Sequence, residues 1–284
     1  MSDLLSPDGV AVTRDVVHTR LAGYRPLCLD MYAPDDGAKA VCVYVHGGGW
    51  RMGSRREGPG PLSPTSGRLF ARMAAQGLAV AAVDYRLSGE ARYPAQPDDV
   101  EAACRWLAAG GAPSVQGLPL VVFGVSAGGQ VAGLCALERG LPVRALALWY
   151  SATDLTAMCD DIDAAGGTAD RGPTSREALM LGAPAAAAPE LARQASPLTH
   201  VSPSAPATLL VHGDRDLLVP VAQSSRLHEA LLGAGASSTL ELVPGYSHML
   251  NGIPDADLDA LVDRTASFLL DHATAAGTGP DAST

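Results

Sequence analysis

Residues 120–128 read Leu-Val-Val-Phe-Gly-Val-Ser-Ala-Gly, an apolar run that ends in a G-x-S-x-G pentapeptide centred on Ser126. A helical pattern with apolar residues at Val131, Leu134 and Cys135 follows. A serine on so tight a strand-to-helix turn has a strained backbone, and the flanking glycines remove Cβ atoms that would collide with the strand and the helix. The stretch therefore predicts an α/β sheet with the Ser126 hydroxyl exposed at its edge, beside the free N–H groups of a helix N-terminus.

Three further motifs follow apolar runs in the same way. Residues 46–50 read His-Gly-Gly-Gly-Trp, residues 212–216 read His-Gly-Asp-Arg-Asp, and residues 244–248 read Pro-Gly-Tyr-Ser-His. The glycine run presents bare backbone N–H groups, as an oxyanion hole requires, and the other two motifs supply a carboxylate and an imidazole. The chain order Ser, Asp, His is typical of α/β hydrolases and differs from the other two common serine-hydrolase arrangements.

Apolar strands and amphipathic helices alternate along most of the chain, after an antiparallel hairpin predicted for residues 11–19 and 27–32. Such alternation predicts a mostly parallel sheet covered by helices on both faces, with active groups at the carboxyl ends of its strands. We expect strands at 41–45, 79–83, 120–124, 145–150, 207–212 and 239–243, and helices at 66–76, 98–109, 127–138, 221–233 and 255–271.

We expect residues 1–273 to form one domain, because 284 residues allow one large α/β unit that buries its own core. Residues 152–205, rich in Ala, Gly, Pro and Asp, interrupt the alternation and are expected to form a small lid over the active edge. Residues 274–284 have almost no bulky apolar side chain and predict a mobile tail.

Charge and composition restrict the partners. The net charge of −10 argues against nucleic acid and against an anionic membrane surface, so a small neutral molecule is the expected substrate. No apolar run approaches the ~18 residues of a membrane span, and no targeting segment stands out, which predicts a cytoplasmic protein. The five cysteines are widely spaced and predict buried free thiols. No metal-binding spacing occurs, and we expect neither a metal nor another cofactor.

These motifs resemble those of the α/β-hydrolase superfamily, in the branch with an HGGG loop that includes hormone-sensitive-lipase-like carboxylesterases and a small esterase and kynurenine-formamidase group. The resemblance runs from about Asp30 to His248 and includes Asp84-Tyr85-Arg86-Leu87 and Ala195-Ser196-Pro197. A short N-terminal extension favours the smaller group and speaks against a lipid substrate. Members of the family often form dimers, so a homodimer is one state that the resemblance implies.

Each candidate catalytic residue has a role in this scheme. Ser126 is expected to be the nucleophile, because its hydroxyl needs a base to take its proton during attack, and His248 is the expected base. Asp216 would hold the imidazole in its reactive tautomer and stabilise the imidazolium. Asp214 is the alternative acid, but the resemblance implies that the second aspartate of G-D-x-D acts and that the first braces the turn.

The remaining site residues are expected around the nucleophile. Backbone N–H groups of Gly48, Gly49 and Ala127 are the predicted oxyanion donors. His46 is expected to hold the glycine loop rather than act as a base, and the acidic residues 160–163 to form a solvated part of the lid rather than a cation site. The predicted lining of the substrate pocket is Trp50, Tyr150 and Met249.

The leading hypothesis is a cofactor-independent serine hydrolase that cleaves a carboxylic ester through an acyl-enzyme. An amidase or arylformamidase of the N-formylkynurenine type is a chemically close alternative, and so is acyl transfer or deacylation in secondary metabolism. A non-catalytic receptor on the same fold is disfavoured, because the serine, the acid and the histidine are all present.

Overall fold

Eight strands and eight α-helices lie along residues 9–61 and 66–274, the part of the chain that this computed structural model describes. The strands are β1 (Val10–Thr19), β2 (Leu27–Pro34), β3 (Ala40–Val45), β4 (Leu78–Val83), β5 (Leu120–Val125), β6 (Val143–Trp149), β7 (Ala207–Gly213) and β8 (Ser238–Val243). The helices are α1 (Ser66–Ala75), α2 (Ala95–Ala108), α3 (Ala127–Leu137), α4 (Met158–Ala164), α5 (Arg176–Leu181), α6 (Pro189–Gln194), α7 (Ala222–Gly233) and α8 (Asp255–Thr274).

The strands form one sheet in the order β1-β2-β4-β3-β5-β6-β7-β8. β1 pairs antiparallel with β2, and β2 pairs antiparallel with β4, whereas every pairing from β4 to β8 is parallel. The predicted hairpin and the predicted mostly parallel sheet are both confirmed. Because parallel strands end at the same edge, the segments that follow β3, β5, β7 and β8 emerge together there.

Helices cover both faces of the sheet, which explains why the central strands are apolar throughout. All residues of β3, β4 and β5 are buried. One hydrophobic cluster joins the sheet to α2, α3 and α7, and a second cluster joins the opposite face to α1 and α8. A parallel sheet buried on both faces needs such continuous apolar strands rather than alternating ones.

The interval 152–205 holds α4, α5 and α6. The acidic residues 160–163 lie on α4 rather than in the expected loop, with Asp160 and Asp163 exposed to solvent and the acidic side chains in ion pairs. Asp161 is paired with Arg226 of α7 at 2.8 Å and also accepts a hydrogen bond from Gln223. Asp154, before α4, pairs with the same Arg226 at 2.9 Å. These contacts fix the first part of the predicted lid to the body of the protein.

Two helix ends differ from the sequence-based prediction. Helix α2 begins at Ala95 instead of residue 98, because a proline, here Pro97, is tolerated in the first turn, where its missing N–H would have no partner. Helix α8 continues to Thr274, which the sequence placed in a mobile tail. The remainder of that tail, residues 275–284, lies outside the described residues. None of the described helices is both long and apolar enough to cross a membrane.

Candidate active site

Ser126 lies on the turn between β5 and α3 with a left-handed backbone, φ 53° and ψ −125°. This conformation is uncommon for a residue with a side chain and marks a strained turn. Gly128 is required two residues later, since a Cβ at this position would lie 2.1 Å from the carbonyl oxygen of His46. The glycine allows α3 to approach the end of β3, and this approach brings the glycine loop beside the serine.

The hydroxyl of Ser126 reaches an imidazole that follows β8. Its Oγ is 2.9 Å from Nε2 of His248, and Nδ1 of the same ring is 2.6 Å from Oδ2 of Asp216, after β7. Because the carboxylate accepts a hydrogen bond from Nδ1–H, Nε2 is left with its lone pair toward the serine hydroxyl. Three side chains from separate loops, all singled out in the sequence, thus form one continuous hydrogen-bonded chain.

Asp216 is buried, and protein donors surround its carboxyl group. Oδ1 accepts hydrogen bonds from the amides of Leu218 and Val219, both at 2.9 Å. Burial by itself would raise the pKa of Asp216, but hydrogen bonds from His212 and His248 outweigh burial and lower the pKa to about 2. The group is therefore a carboxylate at neutral pH.

His212 is a partner of this carboxylate that the sequence did not assign. The ring is fully buried at the end of β7, with Nδ1 2.7 Å from Oγ of Ser224. Its Nε2 lies 2.7 Å from the carbonyl oxygen of Val219 and 3.4 Å from Oδ2 of Asp216. Asp214, the alternative acid, does not lie with the imidazole. Its carboxylate accepts the amide hydrogen of Gly245 at 2.6 Å, a contact that braces the turn after β8.

The backbone around His248 holds its ring in place. Met249 has a left-handed φ of 63°, and Asn251 donates a hydrogen bond to the carbonyl oxygen of His248 at 2.8 Å. The ring of Tyr150 packs edge-on against the imidazole, with 5.2 Å between the ring centroids. Its hydroxyl in turn accepts the amide hydrogen of Gly60 at 2.9 Å. The orientation of the imidazole is therefore fixed by the backbone of its own loop and by the ring of Tyr150.

Backbone amides without protein acceptors belong to residues that line the same cavity as Ser126. In the described part of the chain, the amides of Gly48, Gly49 and Ala127 donate no hydrogen bond to a protein acceptor. Ala127 is the first residue of α3, and the first N–H groups of a helix have no intrahelical partner. Such groups can bind an oxygen on which negative charge develops.

The glycine loop is held from two sides. Tyr85 donates a hydrogen bond from its hydroxyl to the carbonyl oxygen of His46 at 3.0 Å. Its ring stacks on the His46 imidazole, with 4.4 Å between the ring centroids. Burial lowers the pKa of His46 to about 4, so this ring is neutral at pH 7. Trp50 donates from Nε1 to Oε1 of Gln130 at 2.9 Å, and Gln130 donates to the carbonyl oxygen of Ala195 at 2.6 Å. Tyr85 lies in a motif that carries the family resemblance but was not predicted to support the glycine loop, and the sequence assigned no role to Gln130.

A cavity of about 200 Å³ opens beside Ser126. Trp50, Tyr150 and Met249 all line it, as expected, although Trp50 is only 2% exposed. Most of the remaining lining is apolar, including Met158 from α4. The predicted lid therefore supplies part of the pocket wall.

The strand order, the serine turn after β5, the acid after β7 and the histidine after β8 define an α/β-hydrolase fold. The chain belongs to the BD-FAE family, whose family model matches residues 29–231.

Curated and solved relatives agree with this assignment. Esterase LipC from Mycobacterium tuberculosis is 30% identical over 250 residues, which cover 81% of this chain and 57% of the relative. Carboxylesterase NlhH from the same species is 41% identical over 122 residues, covering 40% of this chain and 35% of the relative. The chain spans about half the length of the curated relatives LipC, LipQ and LipM.

Two solved structures illustrate the similarity of fold. A truncated carbohydrate esterase from gut microbiota superposes with a TM-score of 0.74 at 23% identity, over 90% of this chain and 96% of that one. An esterase from Pyrobaculum calidifontis superposes with a TM-score of 0.72 at 25% identity, over 94% of this chain and 86% of that one.

Proposed function

We propose that the protein is a serine hydrolase that cleaves a carboxylic ester of a small molecule through an acyl-enzyme. The observation that carries this proposal is the hydrogen-bonded chain from Ser126 through His248 to Asp216, at 2.9 and 2.6 Å, beside unpaired backbone amides. The relatives support an ester rather than an amide substrate, because those named above are called esterases or carboxylesterases.

The mechanism follows from these positions. Oγ of Ser126 attacks the ester carbonyl carbon while Nε2 of His248 takes its proton, and the carboxylate of Asp216 stabilises the imidazolium. The carbonyl oxygen becomes an oxyanion that accepts hydrogen bonds from the amides of Gly48, Gly49 and Ala127. The imidazolium then protonates the leaving alcohol. A water molecule attacks the acyl-enzyme in the same way and releases the acid.

The size of the cavity supports a small substrate. Drug-sized ligands occupy pockets of roughly 300–1,000 Å³, whereas this cavity holds about 200 Å³. We expect 4-nitrophenyl acetate and butyrate to be hydrolysed with higher kcat/KM than the octanoate and laurate, and an aryl formamide to be turned over more slowly than either short ester. A series of these substrates with the purified protein tests this. Hydrolysis of the formamide alone, with no ester turned over, would contradict an esterase.

Gly48→Ala is expected to lower kcat on 4-nitrophenyl acetate by about 10²–10³-fold, the typical cost of one lost oxyanion donor. Gly48 has a φ of 111°, and a Cβ there would lie 2.1 Å from the carbonyl oxygen of Met52, so alanine must displace the loop. Gly140→Ala is the matched control, because Gly140 is also left-handed, at φ 63°, but has open space around it. A kcat for Gly48→Ala within twofold of that for Gly140→Ala would remove this loop from the mechanism.

We also propose a cytoplasmic location. All five cysteines are free, with Cys42, Cys104 and Cys135 buried and Cys28 and Cys159 half-buried, which suits a reducing compartment. The homodimer implied by the family resemblance stays a prediction, and light scattering on the purified protein measures it.

A further inference from the structure

A second cavity, of about 300 Å³, adjoins the catalytic pocket. The two cavities share part of their walls, including Met158 of α4, Arg176 and Glu177 of α5, and Leu218 after β7. The second cavity is the more polar one, and Arg51, just after the glycine loop, also lines it. The second cavity, which we call the polar chamber, therefore lies within reach of a substrate bound at Ser126.

Arg176 forms part of the boundary between the two cavities and lies against the glycine loop. A Cβ placed on Gly49 would be 2.6 Å from Cδ of Arg176 and 3.2 Å from its Nε. The Arg176 side chain thus packs against Gly49, one of the proposed oxyanion donors.

Neither Arg51 nor Arg176 has a partner for its positive charge. Over residues 9–61 and 66–274, neither guanidinium donates a hydrogen bond, and no carboxylate lies within the 4.0 Å of an ion pair. Most other arginines of the described chain are paired, for example Arg55 with Asp30 and Arg226 with Asp161. Both residues are exposed to solvent, so both guanidinium groups are free to bind a ligand at this cavity.

Two carboxylates also line the chamber, but neither forms an ion pair with Arg51 or Arg176. Asp170 already accepts the amide hydrogen of Gly172 at 2.8 Å, and Glu177 lies beside Arg176 without forming an ion pair. Each guanidinium presents five N–H donors in a planar fork that fits a carboxylate or phosphate. The N–H donors of Arg51 and Arg176 are therefore not used by the acceptors that line the chamber.

We propose that Arg176, assisted by Arg51, binds an anionic group of the substrate, so that the enzyme prefers esters that carry a carboxylate or a similar anion. This inference rests on the proposed ester hydrolysis and names its substrate class. It departs from the neutral substrate that the overall negative charge favours, because the lining of the chamber, with two arginines and two carboxylates, is less negative than the molecule as a whole.

The test compares esters that differ only by a carboxylate or its neutral amide. 4-Acetoxybenzoate against 4-acetoxybenzamide probes the alcohol side, and the monophenyl ester of adipic acid against its amide probes the acyl side. The measured quantity is the ratio of kcat/KM for the carboxylate to kcat/KM for the amide. For at least one pair, we expect Arg176→Gln to lower this ratio about tenfold, in the range of a hydrogen bond to a charged group after solvent screening.

Further variants separate charge from packing. Arg51→Gln should lower the same ratio less than Arg176→Gln, and Arg176→Lys should restore part of it. Arg20→Gln is the matched control and should leave the ratio unchanged, because Arg20 is an exposed, unpaired arginine after β1 that lines none of these cavities. Added NaCl should lower the ratio of the unaltered protein, since salt screens exposed charges.

The outcomes distinguish the two proposals. If the kcat/KM ratio of Arg176→Gln is within twofold of the ratio of the unaltered protein for both substrate pairs, the anion site is overturned. Ester hydrolysis is not affected by that result. An equal fall for the carboxylate and amide esters also overturns the anion site, since it reports only the packing of Arg176 on Gly49. If the unaltered protein hydrolyses neither member of either pair nor 4-nitrophenyl acetate, the proposed function itself fails.

Discussion

Ser126→Ala is expected to lower kcat on 4-nitrophenyl acetate by about a millionfold, as removal of a catalytic serine does in serine proteases. The variant lacks the oxygen that lies 2.9 Å from Nε2 of His248, so no acyl-enzyme can form. The substrate cavity keeps its walls, and KM should change by much less than kcat. Initial rates at saturating ester, measured against the uncatalysed reaction, give the result.

The fold should survive this change. Alanine at residue 126 must adopt the same left-handed backbone as the serine, at φ 53°, but it loses no structural hydrogen bond apart from the one to His248. We expect the Tm to stay within a few degrees of that of the unaltered protein. Residual kcat above one hundredth of the original, in a folded variant, would mean that another group is the nucleophile.

Asp216→Asn is expected to have the second large effect and to lower kcat about 10⁴-fold. The asparagine amide can donate a hydrogen bond to Nδ1 of His248, and the ring then carries its own proton on Nε2. That tautomer cannot accept the proton of Ser126. Asp214→Asn is the matched control, because its carboxylate binds the amide of Gly245 instead of the imidazole. Equal losses in the two variants would show that the acid has been misassigned.

The same aspartate links stability to pH. The pKa of Asp216 is lowered to about 2 in the folded protein because the hydrogen bonds from His212 and His248 outweigh burial. A group whose pKa is depressed on folding stabilises the protein above its unfolded pKa, near 3.9, and this contribution is lost as the pH falls toward 2. The free energy of unfolding should therefore decrease less between pH 5 and pH 2 in Asp216→Asn than in the unaltered protein. Identical pH profiles would contradict this linkage.

The parts of the site that sequence reasoning found are those fixed by local patterns. Ser126, Asp216 and His248 each follow an apolar run, and the rule that parallel strands end at one edge is enough to bring their loops together. The glycines were also predictable, because small residues at these spacings have few other uses. Backbone chemistry and strand order therefore decide most of the fold and the central chemistry.

The residues that were missed act through contacts made only in three dimensions. His212 at the end of β7 is held by Ser224 of α7, and Gln130 joins Trp50 to Ala195 across the core. The signal that could have found Gln130 is a polar residue among the apolar ones of α3, directly after the serine turn. The pairing of Asp161 with Arg226 depends on how α4 packs against α7, and no sequence pattern indicates it.

Labelling by a fluorophosphonate probe, followed by peptide mass spectrometry, tests most directly whether Ser126 is the activated nucleophile. We expect one adduct, on the peptide that contains Ser126, formed in the unaltered protein and strongly slowed in His248→Ala and Asp216→Asn. A folded protein whose Ser126 stays unmodified, or is modified equally fast without His248, would contradict the account.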